Sequence, residues 1–311
     1  MRKAASSLFI VFSASTILLL VFMDFNGIQR VPALLDYRFN RVLSALLSGA
    51  IIGLAGVLLQ SSLRNPLVDH YVIGVGSGAL VFTYIFILWT GGYTLNASFF
   101  SMLGGFTAMV LTILLAEKLS GSATSYILAG IGMNSVFSGL SILLSYVAVR
   151  EYPYVHALLV GSFIVATAEK TQVLLIVLAV SLLTVFLIAK PLNTLEVSDE
   201  FSMVAGFNPR LTRLASVVLA GASTSIVTSM YGLIGFIGLV TPHIARYVSG
   251  TSDNRVVAPL AMLTSSAVLY LTDFISRRLF AVMWGEVPAG AVASLIGAPI
   301  FIYLLVSRRG A

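Results

Sequence analysis

The sequence predicts an all-α membrane protein, a single domain over residues 1–311 with about ten transmembrane helices. Three observations carry that expectation. Only 10% of the residues are charged, against about 25% in a soluble domain. Mean hydropathy is +1.00. The charges also fall in clusters, leaving uncharged intervals at 4–23, 42–63, 70–116, 119–149, 171–189, 214–245, 256–272 and 287–307. A span needs about 20 mostly apolar residues, so most intervals hold one helix. The 47-residue interval holds two, divided near Gly91-Gly92, and the 32-residue interval holds one span and a shorter piece beyond Gly232.

Taken in order, the first span, 5–23, follows Met1-Arg2-Lys3 in the manner of a signal peptide. Its apolar stretch is longer than the usual signal core and no small-x-small site precedes Asp24-Phe25-Asn26, so a retained helix is expected. The second span, 42–62, stops at Arg64-Asn65-Pro66, because proline lacks the donor that a helix needs and pushes the preceding residue out of the α region. The third, 72–90, opens on glycines 74, 76 and 78, which suit either close helix packing or a small-residue wall along a pathway. Spans at 98–117 and 124–148 follow. Residues 149–170 then form an outside segment whose "YVHALLVGSFIVA" is apolar but too short to cross, and is expected at the interface. After 171–189 comes an inside segment, 190–210, and then 211–230, a short piece at 236–248, and spans at 255–276 and 288–307.

Orientation follows from the basic residues. With the N-terminus inside, eleven Lys and Arg fall in inside loops and seven outside, which favours both termini in the cytoplasm of a multi-pass cell-membrane protein. The net charge of +6 is explained by those loops and implies lipid contact, not nucleic acid. Cysteine is absent, so there is no disulfide and no thiolate metal site. No Walker-type GxxxxGK[ST] loop is present to cradle a nucleotide. His70, His156 and His243 are each isolated, and one histidine without partners makes no metal site; packing or capping is the expected role of His243. "RVLSALLSGA" (41–50) and "RLASVVLAGA" (213–222) match at five of ten positions and begin spans of opposite direction, a weak inverted repeat of the transporter kind. No span carries a carboxylate or lysine near its middle; Asp273 comes closest, four residues before Arg277 where a helical pair would satisfy it. A proton- or sodium-coupled carrier usually keeps such a group in its pathway, so the driving energy is expected to come from elsewhere.

Four stretches carry a family resemblance: "RFNRVLSALLSGAIIGLAGVLLQSSLRNPLVDHYVIGVGSGA" (38–79), "SDEFSMVAGFN" (198–208), "GLIGFIGLVTPHIARYVSG" (232–250) and "EVPAGAVASLIGAPIFIYLL" (286–305). Together they resemble the permease subunits of FecCD/BtuC-type ABC importers, which take up iron–siderophores, haem and vitamin B12. Phe39-Asn40 stands where that family favours Leu-Pro, and Ser198 and Ala205 where it favours Gly and Leu. The resemblance implies a non-catalytic homodimer with the pathway at its axis, two ATPase subunits, one substrate-binding protein and no cofactor. It implies a cytoplasmic gate at Asn65, Leu67, Thr124 and Ser125, for which an ordinary helix stop is the plainer alternative. It makes 195–209 the ATPase-coupling segment, with Glu196, Asp199, Glu200 and Gly206, the glycine turning between two short helices. It matches Arg38, Arg41 and Arg277 to positions that receive glutamates of the binding protein; the plainer alternative is contact with lipid phosphate, which any interfacial arginine can make. Two other classes compete: a secondary carrier with inverted repeats, and an intramembrane enzyme, for which nothing pairs a nucleophile with a base.

Overall fold

The computed structural model describes residues 13–19, 21–24, 32–92, 96–152, 159–280 and 285–307. Helix α1 occupies 13–19 and 21–24, followed by α2 (Pro32–Ser62), α3 (Val75–Thr90), α4 (Ala97–Leu119), α5 (Ala123–Glu151) and α6 (Ala168–Val197). Then come the six-residue α7 (Asp199–Val204), α8 (Pro209–Tyr231), α9 (Ile237–Ser249), α10 (Asn254–Ile275), a π-helical turn at Ser276–Phe280, and α11 (Ala289–Ser307). No strand occurs among the described residues. Six of these helices are long and apolar enough to cross a membrane (α2, α4, α5, α6, α8, and α10 with its π turn), while α1, α3 and α11 give shorter apolar stretches. The order is that of the ten expected spans plus one short helix in the coupling segment.

Local chemistry sets most boundaries. Ser122, Thr167, Ser198 and Asn208 cap α5, α6, α7 and α8 by accepting a backbone N–H from three residues on, which satisfies a donor the helix itself leaves open. Pro209 sits at the start of α8, where its missing N–H costs nothing. Gly91 ends α3 in the left-handed region, as the Gly91-Gly92 division predicts.

Three boundaries differ from the sequence expectation. Helix α2 begins at Pro32, ten residues before the expected 42, because Asp36, Arg38 and Arg41 are carried on helix and not on a loop. Helix α6 runs on through Pro191 to Val197, so the first part of the expected loop 190–210 is helical. Residues 159–166, in the expected outside segment, are tied into the bundle: Ser162 N donates to Tyr231 O (2.8 Å), Leu233 N to Leu159 O (3.1 Å) and Gly290 N to Gly161 O (2.9 Å), and Phe163 is fully buried. Residues 153–158, with His156, lie outside the described set.

Helix α2 is the centre. It packs against α10, α6, α8 and α9, and 89% of its apolar window is buried, against 22% in α5 and α6, which form the periphery. Close approach is built into α2 by Gly49, Gly53 and Gly56 on one face: a methyl at 49 or 53 would overlap Ser265, and one at 56 the Gly238 carbonyl. Small residues let helices meet where lipid supplies no hydrophobic drive. Buried hydroxyls and amides cross between helices, as in Ser266 to Leu46 O (2.8 Å), Ser225 to Met102 O (3.0 Å) and Gln60 to Leu239 O (3.1 Å). Gly76 and Gly78 belong to the same device; a Cβ there would strike the Tyr71 ring and the Gly104 carbonyl, so they are packing glycines and not an open wall.

Candidate functional site

The ion pairs divide between the two ends of the bundle. Arg41 and Ser62 of α2 lie 21 residues apart, about 32 Å at the rise of an α-helix and close to the ~30 Å of a hydrocarbon core. One cluster gathers near Ser62, the other near Arg41.

At the Ser62 end, α2 stops where Arg64 adopts a left-handed backbone (φ 47°). Such a residue is strained without a glycine's freedom. Asn65 closes the turn by accepting Leu67 N–H at 2.9 Å, and the Pro66 carbonyl meets His243 Nε2 at 2.8 Å. His243 is thus the capping residue that its isolation in the sequence predicts. Of the expected gate residues, Leu67 and Thr124 are exposed and Asn65 half-buried. Ser125 is not available to a gate in the same way: it is buried and bonded to Ser120 (2.7 Å) and Ser122 (3.0 Å), closing the start of α5. Loop chemistry at that cap consumed the hydroxyl.

Arg213, first residue of the second repeat, lies 2% exposed between these segments. Its Nη1 donates to Gly121 O (2.9 Å), its Nε to Ser62 O (3.4 Å), and its Nη2 to both carboxylate oxygens of Asp199 (2.8 and 3.0 Å). Arg64 also reaches Asp199 (2.9 Å). Glu196 likewise faces inward, accepting from Asn254 (3.2 Å) with Arg246 at 4.0 Å. Asn193 donates to Asp253 (2.7 Å) beside it. Glu117 joins three elements, holding Arg210 and accepting from Tyr126 at 2.7 Å.

The expected coupling residues therefore sort by face. Glu196 and Asp199 are turned into the bundle, while Glu200 and Gly206 are exposed. The Glu200 carboxyl is held below its ordinary pKa by its own backbone N–H and by Ser198; the backbone N–H of Arg255, with Asn193, does the same for Asp253. Gly206 (φ 84°) turns the chain between one short helix and the long α8, not between two short helices as expected, because Asn208 and Pro209 start α8 directly after the turn. Residues that sequence reasoning missed complete the outer face: Phe201, Met203 and, 88% exposed, Val204. Their apolar character was hidden in a chain that is apolar throughout. Between the Pro66 turn, Glu196 and His243 lies a polar cavity of about 460 Å³ that Gln60, Arg64 and Arg246 also line.

At the opposite end Arg41 binds Asp273 through Nη2 (2.7 Å) and Nε (3.2 Å), and also Glu286 and the Tyr37 hydroxyl. Arg277 binds Asp273 through Nε (2.9 Å), the helical pair expected, and Asp24 through Nη1 (2.6 Å). Tyr270 donates to Asp24 at 2.6 Å. Arg41 and Arg277 are 5% and 10% exposed. Both arginines, expected to receive a partner's glutamates, are held here by this chain's own carboxylates. Arg38, half-buried with Nη1 on the Asp24 carbonyl (2.7 Å), and the exposed Arg278 form the outer layer.

A break in regular helix lies inside the bundle. Residues 232–236 separate α8 from α9, starting at Gly232 (φ 78°) and ending at Phe236 (φ 65°), next to a cavity of about 310 Å³ lined by Tyr71, Leu233, Phe236 and Leu239. Irregular backbone at membrane depth is tolerated where it is buried in protein or lines a cavity.

Such a bundle, with a broken helix inside it and, among the described residues, ion-pair clusters at its two ends, is a multi-pass membrane protein. The sequence model of the FecCD transport family matches residues 5–307, and the chain belongs to that family. It is the non-catalytic permease subunit of an ATP-binding cassette importer. It is 28% identical over 278 residues to a "probable iron chelatin transport system permease protein" of Helicobacter pylori (strain ATCC 700392 / 26695), covering 89% of this chain and 83% of that one. It is 29% identical over 285 residues to the "probable heme-iron transport system permease protein IsdF" of Staphylococcus aureus (strain Newman), covering 90% and 84%. A solved structure described as an inward-facing metal-chelate type ABC transporter superposes with a TM-score of 0.82 at 26% identity, over 97% of this chain and 99% of that chain.

Proposed function

We propose that this permease moves an iron chelate, a siderophore complex or haem, inward along the axis of a homodimer driven by two ATPase subunits. The similarity to permeases named for iron chelatin and for heme-iron supports the cargo class over cobalamin. One observation carries the coupling: α7 is a single exposed helical turn and a half whose outer face offers Glu200, Phe201, Met203 and Val204 while its inner face is bonded into the bundle. That is the form of a helix that docks in a groove of a partner. The end bearing α7 and the Pro66 turn is then cytoplasmic, as are both termini, and Asn65, Leu67 and Thr124 stand where a gate would close.

At the other end a substrate-binding protein delivers the cargo to Arg38 and Arg278, with Arg41 and Arg277 holding the platform beneath. Expression of the permease with its ATPase and binding protein in a strain lacking iron-chelate uptake tests the reading. Uptake of ferric hydroxamate or haem that stops when the ATPase is omitted supports it; accumulation without the ATPase would make the chain a secondary carrier. Arg38→Glu should weaken binding-protein association most at low ionic strength, since rim charges are screened by salt.

A further inference from the structure

We propose that Asp199 and Arg213 form the link through which the coupling helix governs both gate segments at once, an inference that rests on the ATPase coupling proposed above. Asp199 belongs to α7, yet its carboxylate points away from the face that would meet an ATPase. It accepts from Arg64 (2.9 Å) and from Arg213 (2.8 Å). Arg64 lies in the turn that carries Asn65 and Leu67. Arg213 in turn holds Ser62 O, where α2 ends, and Gly121 O, one residue before the cap of α5. A planar guanidinium with several fixed donors can bind three acceptors in different directions at once; an ammonium cannot hold the same geometry.

The turn itself is poised. Arg64 sits in the left-handed region at φ 47°, where a non-glycine residue stays only if its surroundings hold it. The Asp199 pair is such a hold. Withdrawing that carboxylate as α7 moves would release Arg64 and loosen Arg213 from both segment ends together. Arg213 is a positioning residue on this account, since it touches neither cargo nor nucleotide. Its repeat mate Arg41 is likewise a buried guanidinium at the other end, held there by two carboxylates, Asp273 and Glu286.

The test uses the assembled permease and ATPase and needs no cargo. Leu67→Cys, in a chain with no native cysteine, is cross-linked by a short bis-maleimide with and without bound ATP. In an otherwise unmutated complex the dimer yield should change with nucleotide. With Asp199→Asn added, the ATPase should still co-purify and hydrolyse ATP, but the yield should no longer respond to nucleotide. Asp199→Glu, which keeps the carboxylate, should restore part of the response, and Arg213→Lys should lose it, the pair Asp199→Asn/Arg213→Lys being no worse than either alone. A nucleotide response that survives Asp199→Asn overturns the inference, and because Asp199 is 30% exposed that variant decides the matter even if Arg213→Lys fails to fold. Absence of a co-purifying ATPase, or of any response in the unmutated complex, would instead sink the coupling reading.

Discussion

Asp273 is fully buried and shared by Arg41 and Arg277. Removing one partner of a buried pair leaves an uncompensated charge and costs about 3–5 kcal/mol. Asp273→Asn should therefore lower the thermal midpoint of the detergent-solubilised permease markedly, whereas Arg38→Gln should barely move it. Gly206 makes a different kind of prediction. It has a φ of 84° with open space around it, so Gly206→Ala costs only the left-handed strain, about 1–2 kcal/mol. Gly206→Pro cannot adopt that φ at all. Transport driven by ATP should survive the alanine and fail with the proline, while membrane assembly persists in both. At this scale the sequence was legible where the reason was local. The Asn65-Pro66 stop and the Asp273–Arg277 pair follow from neighbours in the chain or from proline's chemistry, whereas the partner of His243, the Pro66 carbonyl, lies 177 residues away. Arg41 was not legible, because Asp273 and Glu286 lie 232 and 245 residues away.

Element boundaries behave similarly. Of the nine expected spans whose starts fall among the described residues, eight begin within three residues of an observed helix, since charge clusters and caps coincide at their ends. Helix α2 is the exception, and α6 overruns at its far end, because a charge that finds a partner on the bundle no longer marks a loop. Helix α7 was expected from the family resemblance of its segment, but its orientation was not readable: six residues are too short for a periodic pattern to fix a face. The observed face changes which variants matter. Met203→Glu and Val204→Glu should reduce co-purification of the ATPase several-fold while leaving the permease monodisperse. Equal recovery of the ATPase would remove the outer face of α7 from the interface.

For the molecule as a whole, burial separates a central helix from peripheral ones, and the exposed residues of the proposed gate from the buried ones beside them. Leu67 and Thr124 are exposed at one end of the bundle, whereas Ser125 is 7% exposed. Leu67→Cys and Thr124→Cys should cross-link to their symmetry mates if the axis passes between them, and Ser125→Cys should react slowly with maleimide in the same membranes. Lipid-facing placement of residues 67 and 124 would leave both unlinked in every nucleotide state and return the Asn-Pro turn to an ordinary helix stop. The inverted repeat, faint in sequence, gains meaning only at this scale: Arg41 and Arg213 are buried ion-pair centres at opposite ends of the same bundle.

The central position of α2 has a consequence for how the protein is made. A helix that ends up shielded from lipid on most of its surface is nonetheless synthesised before α8, α9 and α10 exist to shield it. Its apolar window is more hydrophobic than those of α8 and α10, which suits a segment that must wait in the bilayer during translation. The later helices, richer in serine and threonine, enter a membrane where α2 already presents its glycine face and carbonyl acceptors. Nascent chains halted after α6 should accordingly resist carbonate extraction, whereas α8 placed alone behind a reporter should insert poorly and improve when α2 is supplied ahead of it.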